Sequence, residues 1–320
     1  MSDFWNGLPG MPESLQAVRR RMIDALGSDR FPLASAVKEL IEANGKLLRP
    51  AFVIMGGRFG KEQRNLIDLA AAIELLHIAT LIHDDVIDES DTRRGVESVN
   101  ARYGAKHAVL TGDWLFSRSF RLVTENAKPQ NARLLASLVQ ALVSEEIHQD
   151  LERFTWPKSQ RNYLRKIGGK TAALFSLALR AGALETKSSP LIVTALVRTG
   201  YNVGMAFQIM DDILDYESSA DTMGKPVAKD VRDGLCTLPL ILTMRLHPET
   251  ILPLLGQERP DEASVSAIVE VVRQSGAIDS AKTLAQRYTE RAMLEISRLP
   301  KGVARDELRD TVEKLLTRKY

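Results

Sequence analysis

The segment from Leu66 to Asp88, LIDLAAAIELLHIATLIHDDVID, largely decides the fold of this chain. Its predicted core-facing positions recur in steps of three and four residues, which is the period of one helix face. These positions are Leu66, Leu69, Ile73, Leu76 and Thr80. Continued by fours, the same face reaches Asp84 and Asp88, with Asp85 beside them. Ionised carboxylates on a core-facing stripe are costly unless a cation compensates them, so the segment predicts a helix that leads into a cation site.

A second segment, GYNVGMAFQIMDDILDY at 200–216, repeats this arrangement. Small and polar residues form one strip of the predicted helix and end in the pair Asp211 and Asp215, next to Asp212. Carboxylate oxygens four residues apart suit Mg²⁺, which keeps several waters for substrate phosphates. One such motif is also compatible with a solvated helix end, but two motifs that each end an inward stripe favour a metal site. The predicted ligands are Asp84, Asp85, Asp88, Asp211, Asp212 and Asp215.

The composition excludes several other classes of protein. The 320 residues carry 43 basic and 41 acidic side chains, so bulk charge gives no reason to expect a nucleic-acid partner. The one cysteine, Cys236, excludes an internal disulfide framework and a cysteine-built zinc site. No secretory signal is evident at the start, and the apolar-rich stretch 66–82 is interrupted by Asp68, Glu74 and His77. We therefore expect a soluble, cytoplasmic protein without a transmembrane segment.

Helical periodicity extends over most of the chain, whereas few stretches alternate like strands. The predicted helices cover roughly 11–27, 34–44, 61–90, 104–126, 129–155, 160–183, 188–217, 262–274, 277–298 and 303–318. With no composition break or repeat, the sequence predicts a single all-α domain over 1–320, in which residues 1–30 form a peripheral N-terminal helix. The interior stretch 217–239 is the least helical, and a loop of that length is usually functional or disordered.

Cationic side chains precede and follow the aspartate motifs. They are Lys46 and Arg49 just before a helix, Arg93 and Arg94 after the first motif, and Lys170 and Lys225 further on. Each alone is compatible with a solvated surface group. If metals occupy the motifs, however, the bridged ligand is an oxyanion, for which Arg and Lys are suitable donors. The sequence GKT at 169–171 does not indicate a nucleotide-binding loop, because Leu164 stands where a glycine is required and no strand precedes it.

Five motifs together resemble the trans-isoprenyl diphosphate synthase family, also called polyprenyl synthetases. They are GKLLRP at 45–50, HIATLIHDDVIDESDTRRG at 77–95, GKT at 169–171, FQIMDDILD at 207–215 and GKP at 224–226. Their order and spacing match the family over roughly residues 35 to 320. The resemblance implies an isoprenoid-synthase-type helical bundle around a central cavity, usually in a homodimer. It also implies a prenyltransferase that condenses isopentenyl diphosphate with an allylic diphosphate.

The same resemblance implies a role for each motif residue. The six aspartates hold two or three Mg²⁺ ions that bind the allylic diphosphate, and Arg93, Lys170 and Lys225 contact that diphosphate. Lys46, Arg49, His77 and Arg94 bind isopentenyl diphosphate. Thr171 and Gln208 stabilise the developing allylic cation, so the implied catalytic set is Asp84, Asp88, Lys170, Thr171, Gln208 and Asp211. Two positions differ from many members of the family, because Asn44 replaces a glycine and Leu235 replaces a lysine.

Product length is predicted from the residues one turn before the first motif. Neither Ala79 nor Thr80 is aromatic, so the growing tail is expected to pass them, with a floor near Leu76, Ile73 or residues of facing helices. We expect a product longer than geranylgeranyl, such as a quinone side-chain precursor. Alternatives are a short-chain farnesyl or geranylgeranyl diphosphate synthase, and the catalytic subunit of a two-component synthase that needs a partner chain. A terpene cyclase is disfavoured, because the second motif repeats the first instead of showing an Asn-Ser-Glu type of spacing.

Overall fold

The computed structural model describes residues 3–27, 33–43, 45–62, 64, 66–156, 158–217, 228–256 and 259–316. Most of these residues lie in helices, which confirms the predicted all-α class. The chain divides into two compact units. The first consists of Met1–Ala136 with Leu177–Val197, and the second of Ser137–Ser176 with Arg198–Tyr320. A single domain over 1–320 therefore stays a prediction.

The first unit is built around the long helix α4. Its elements are a 3₁₀ turn (Asp3–Trp5), α1 (Met11–Leu26), α2 (Ala34–Glu42), α3 (Leu48–Gly57), α4 (Ile67–Ile87), β1 (Thr92–Arg93), β2 (Val96–Glu97), α5 (Val99–Tyr103) and α6 (Ala105–Asn126). Three helices contribute residues to both units. They are α7 (Pro129–Leu151), α9 (Ala173–Glu185) and α10 (Pro190–Glu217).

The second unit contains the remaining elements. They are α8 (Gln160–Ile167), a π-helical turn (Gly168–Ala172), α11 (Lys229–Arg232), α12 (Leu238–Leu246), α13 (Pro248–Ile251), a 3₁₀ turn (Leu252–Leu254), α14 (Glu262–Gln274), α15 (Ala277–Ser297) and α16 (Val303–Leu316). In the described parts of the chain, no helix is both long and apolar enough to cross a membrane.

The predicted helix boundaries hold to within a few residues for most elements, and the departures have local causes. The predicted helix ranges omit α3, although a helix was expected just after Lys46 and Arg49, and they omit α12. Both helices carry a proline in the first turn, Pro50 and Pro239, where proline is tolerated. The predicted helix 160–183 is interrupted by the π-helical turn. The strands β1 and β2 form a short antiparallel hairpin that was not predicted either. Residues 218–227 of the predicted loop lie outside the described residues, and α11 occupies part of the remainder.

Helix α4 is enclosed on nearly all sides, not only along the predicted stripe. Besides the stripe residues, Leu75 and Ile78 are buried, and the helix packs against α6, α1 and α3. A helix that is apolar all round is the pattern of a core helix. The N-terminal helix α1 contributes Leu15 and Val18 to this core, both fully buried. The peripheral position expected for residues 1–30 stays a prediction.

In the second unit, α10 supplies a buried apolar face that includes Ile209, Ile213 and Tyr216. The small residues of its other strip have a packing role. A Cβ atom at Gly204 would lie 2.5 Å from Cα of Ala172, and one at Gly200 would lie 2.6 Å from the carbonyl oxygen of Phe175. Glycine is required here because the backbones approach closely, which brings α10 onto the π-helical turn and the start of α9.

Helices α3 and α9 approach each other just as closely in the first unit. A Cβ at Gly182 would lie 1.9 Å from the carbonyl oxygen of Val53. We expect Gly182→Ala to lower the free energy of unfolding by about 3 kcal/mol, because an added methyl group must push two backbones apart. Arg180→Ala, an exposed change on the same helix, is expected to stay within about 0.5 kcal/mol of the wild type. Urea denaturation of both variants measures this, and an unchanged midpoint for Gly182→Ala would contradict the packing argument.

Candidate active site

The first aspartate motif lies at the C-terminal end of α4. Asp84 and Asp88 are partly buried, whereas Asp85 is only 1% exposed. The helix ends in a Schellman motif, in which the Ser90 amide donates to the Asp85 carbonyl oxygen (2.9 Å) and the Glu89 amide donates to that of Val86 (3.4 Å). Glu89 takes the left-handed conformation (φ 46°) that such an ending needs. The chain therefore turns sharply just after the motif.

After this turn, the β1–β2 hairpin carries both predicted arginines of the first motif. Arg94 and Gly95 both have positive φ values, 53° and 80°, which is the pattern of a type I′ hairpin turn. Arg93 precedes the turn, and its Nε donates to Oδ1 of Asp85 at 2.7 Å. The buried carboxylate of Asp85 is thus already compensated by a protein cation. The prediction that Asp84 and Asp88 continue the core-facing stripe was therefore wrong in register, because Asp85 is the buried member and these two carboxylates are the more accessible ones.

Two other predicted cations of the first unit, Arg49 and Arg94, lie near the buried carboxylate of Glu74. Arg94 Nη2 lies 3.4 Å from Oε1 of Glu74, a glutamate that is 2% exposed on α4. The pKa of Arg49 is lowered to about 10, mainly by burial. The charge of Glu74 opposes this lowering, and the charge of Arg94 adds to it. Arg49 lies in the first turn of α3, and the carbonyl of Lys46 accepts a hydrogen bond from Trp5 Nε1 at 2.5 Å. His77 lies one turn beyond Glu74 on α4 and is partly buried.

The second aspartate motif occupies the end of α10, where its three carboxylates have different surroundings. Asp211 is exposed. Asp212 is 5% exposed and accepts hydrogen bonds from Tyr163 Oη (2.7 Å) and Gln208 Nε2 (2.8 Å). Burial raises the pKa of Asp212 to about 7, although these two hydrogen bonds act in the opposite direction. The most buried carboxylate of this motif is therefore Asp212, held by two polar side chains, whereas the sequence had placed Asp211 and Asp215 on the inward strip.

Asp215 connects the motif to α11. Its two carboxylate oxygens each accept a backbone N–H at 3.3 Å, from Lys229 and Asp230 at the start of that helix. Burial raises the pKa of Asp215 in spite of these bonds. Burial also raises the pKa of Asp230, to which the charges of Asp215 and Asp212 add. The end of α10 therefore concentrates negative charge that a cation would stabilise.

The residues predicted to act on the allylic group lie beside this motif. Thr171, in the π-helical turn, donates its hydroxyl hydrogen bond to Oε1 of Gln208 at 2.7 Å. Because Gln208 also donates to Asp212, a continuous hydrogen-bonded chain fixes its amide. π-helical turns occur frequently at functional sites. Lys170 Nζ lies 2.6 Å from Oε2 of Glu146. Lys225, the remaining predicted contact, lies outside the described residues.

The structure adds three residues that sequence reasoning missed, namely Glu74, Tyr163 and Asp230. Glu74 was noted only as an interruption of an apolar run, although a lone acid in a core helix is itself a signal that a cation lies nearby. Tyr163 and Asp230 gave no such signal, since they reach the second motif only through tertiary packing.

Carboxylate oxygens are the donors that Mg²⁺ prefers, so the chemistry of both motifs fits this ion. Within the described residues, no three His, Cys, Asp or Glu side chains are grouped closely enough to hold a metal by themselves. Asp84 and Asp88 are the more accessible carboxylates of the first motif, and Asp211 is the most accessible carboxylate of the second motif.

Comparison with known proteins gives a consistent result. The family model described as Polyprenyl synthetase matches residues 32–272. The heptaprenyl diphosphate synthase component 2 of Geobacillus stearothermophilus is 35% identical to this chain over 303 residues, which is 94% of both proteins. The solved geranylgeranyl pyrophosphate synthase of Lactobacillus brevis is 33% identical with a TM-score of 0.92, and the match covers 98% of this chain and 99% of that one.

A third similar protein was solved with ligands. The polyprenyl synthase of Caulobacter crescentus, complexed with calcium and isoprenyl diphosphate, is 32% identical with a TM-score of 0.90, and the match covers 97% of this chain and 96% of that one. These findings confirm the resemblance inferred from the five motifs. Because the family model spans most of the chain and the relatives cover nearly all of it, the chain belongs to the polyprenyl synthetase family and is a prenyltransferase.

Proposed function

We propose that the chain condenses isopentenyl diphosphate with an allylic diphosphate in the presence of Mg²⁺, to give a trans-polyprenyl diphosphate longer than geranylgeranyl. The observation that carries the proposal is the pair of aspartate motifs, each at the C-terminal end of a long core helix. The calcium and isoprenyl diphosphate in the Caulobacter relative support a divalent cation and a prenyl diphosphate as ligands.

The allylic diphosphate is the ligand we assign to the two motifs. Asp84, Asp88 and Asp211 are the accessible carboxylates that would hold two or three Mg²⁺ ions, and Asp85, Asp212 and Asp215 complete the predicted set. Bound Mg²⁺ would neutralise the diphosphate and favour its departure. The ammonium of Lys170 would add a point charge to the same group, as would that of Lys225. Arg93, which the resemblance also assigns to this diphosphate, donates to Asp85.

Isopentenyl diphosphate is assigned to Arg49 and Arg94, which lie near Glu74, and, as the family resemblance implies, to Lys46 and His77. Two guanidinium groups supply the planar donors that suit phosphate oxygens, and Arg49 stands at a helix N-terminus, which also favours an anion. Thr171 and Gln208 would stabilise the developing allylic cation. Because Gln208 donates its N–H to Asp212, the dipole of its amide is held in one direction. The departing diphosphate then takes the proton.

Removing one ligand from either motif tests this assignment. We expect Asp84→Asn and Asp211→Asn each to lower kcat at least about 100-fold, since even outer-shell partners of metal ligands are worth 10–100-fold. Asp279→Asn, an exposed change in the first turn of α15, should leave kcat unchanged. The measurement is incorporation of labelled isopentenyl diphosphate into product with farnesyl diphosphate and Mg²⁺. Full activity of both motif variants would show that the motifs do not carry the reaction.

The proposed product length depends on α4. Ala79 is fully buried and Thr80 partly buried, so neither presents a bulky group one turn before Asp84. The name of the Geobacillus relative supports a long product, whereas that of the Lactobacillus relative keeps a geranylgeranyl product as the alternative. The bulk of these two side chains is therefore the feature to vary.

We expect Ala79→Phe and Thr80→Phe to shorten the main product by at least one isoprene unit, because an aromatic ring would block the path of the tail along α4. Leu110→Phe, at an exposed position of α6, should leave the product unchanged. Chromatographic sizing of the dephosphorylated products measures the effect. A wild-type product that ends at farnesyl or geranylgeranyl would contradict the long-chain proposal.

The assembly is proposed to be a homodimer, with a hetero-oligomer as the alternative. Helix α7 exposes Val143, Ile147 and Leu151 at intervals of four residues, which places three apolar side chains on one stripe in the second unit. Such a stripe is suited to contact with another protein. The words "component 2" in the name of the Geobacillus relative favour a partner chain instead. A cytoplasmic location stays a prediction.

Assayed alone, the purified chain is expected to be active and dimeric by light scattering. Ile147→Glu should increase the monomer fraction, because it places a charge in the apolar stripe. Gln286→Glu, at an exposed position of α15, adds the same charge and should leave the monomer fraction unchanged. Inactivity that is relieved by a second polypeptide would favour the two-component alternative.

A further inference from the structure

Glu74 is a carboxylate in the middle of the most apolar helix of the first unit. It is 2% exposed, and it lies between Ile73 and Leu75, which are buried as well. Its Oε1 accepts a hydrogen bond from Arg94 at 3.4 Å, and Oε2 has no hydrogen-bond partner among the described residues. Burying a carboxylate with one oxygen unsatisfied is costly, so this residue calls for an explanation beyond packing.

The positive charges around Glu74 explain why a carboxylate is buried here. Arg49 and Arg94 are close enough that the charge of Arg94 lowers the pKa of Arg49, while that of Glu74 raises it. Two partly buried guanidinium groups repel each other when no anion is bound, and this repulsion is stronger than between fully solvated charges. The nearby carboxylate of Glu74 offsets that repulsion. Glu74 therefore makes it possible for both cations to stand side by side before any diphosphate arrives.

The position of Arg94 is restricted from the other side by Gly45. A Cβ atom at Gly45 would lie 2.8 Å from Nη1 of Arg94 and 3.2 Å from its Cζ. The guanidinium thus lies between the Gly45 backbone and the Glu74 carboxylate. Since Arg94 also stands in the type I′ turn, its backbone is fixed by the hairpin and its side chain by these two residues.

We propose that Glu74 is a positioning residue for isopentenyl diphosphate, an internal counter-ion that holds Arg49 and Arg94 together in a geometry ready for the incoming diphosphate. This inference rests on the proposed function, because it takes those arginines as the binding site. In this role Glu74 does not touch the reacting atoms. Glu74 lowers the free-energy cost of placing two positive charges side by side. Because the site is then preorganised, the affinity for the diphosphate is higher.

The experiment is calorimetric titration of the full chain with isopentenyl diphosphate alone, so that no turnover occurs. We expect Glu74→Gln, which keeps the shape and removes the charge, to raise the Kd about tenfold, the size expected for one charge-assisted contact. Glu74→Asp, which keeps the charge but withdraws it by one methylene group, should raise the Kd about threefold. In steady-state assays, Glu74→Gln should raise KM for isopentenyl diphosphate and leave KM for farnesyl diphosphate within about twofold.

A matched control separates positioning from simple stabilisation. Glu185 is also buried in the first unit, at 3% exposure, and accepts hydrogen bonds from Asn131 Nδ2 (2.8 Å) and the Lys128 amide (3.0 Å). Glu185→Gln should lower the Tm without changing the Kd for isopentenyl diphosphate. An unchanged or tighter Kd in Glu74→Gln would overturn the inference. If Glu74→Gln does not fold, an unchanged Kd in Glu74→Asp would overturn the inference. Failure of the wild type to bind isopentenyl diphosphate would instead overturn the proposed function.

Discussion

Carboxylates inside core helices must be met by positive charge or hydrogen-bond donors, and the functional residues of this protein follow from that constraint. Helix α4 carries Glu74 and Asp85 at 2% and 1% exposure, and α10 carries Asp212 at 5%. An ionised carboxylate cannot remain in an apolar interior unless it is compensated. Each of the three has a partner within the chain, and the more accessible aspartates beside them are the ones we propose to bind external cations.

The two units satisfy this constraint by different means. In the first unit, a hairpin of two-residue strands places Arg93 on Asp85 and Arg94 on Glu74, so consecutive arginines serve two different carboxylates. In the second unit, neutral hydrogen-bond donors stabilise the carboxylates instead. Tyr163 and Gln208 hold Asp212, and backbone N–H groups hold Asp215. The pair of Arg94 and Glu74 belongs to the residues assigned to an anion, whereas the neutral donors on Asp212 themselves add no positive charge to the second motif.

The aspartate motifs and the all-α class were predictable from the sequence, because both depend on local periodicity. The resemblance of five motifs to one family was predictable for the same reason, since the motifs are contiguous. The hairpin at 92–97 was not, because strands of two residues give no alternation to detect. The ranges assigned from periodicity omitted α3 and α12, each of which carries a proline in its first turn. The positions of Gly200 and Gly204 were noted as a small strip, but their close approach to Phe175 and Ala172 is a tertiary fact.

By itself, the sequence determined most of the longer helices, the positions of the carboxylates along them, and the family to which the chain belongs. Only the tertiary structure decided which carboxylate in each motif is buried and which partner it has. The reason is that helical spacing specifies a face within about one residue, whereas burial depends on what packs against that face. Asp85 and Asp212 are therefore the inward members of their motifs, and Glu74 becomes a partner of Arg94 only because the chain returns at residue 94 to a helix it left seven residues earlier.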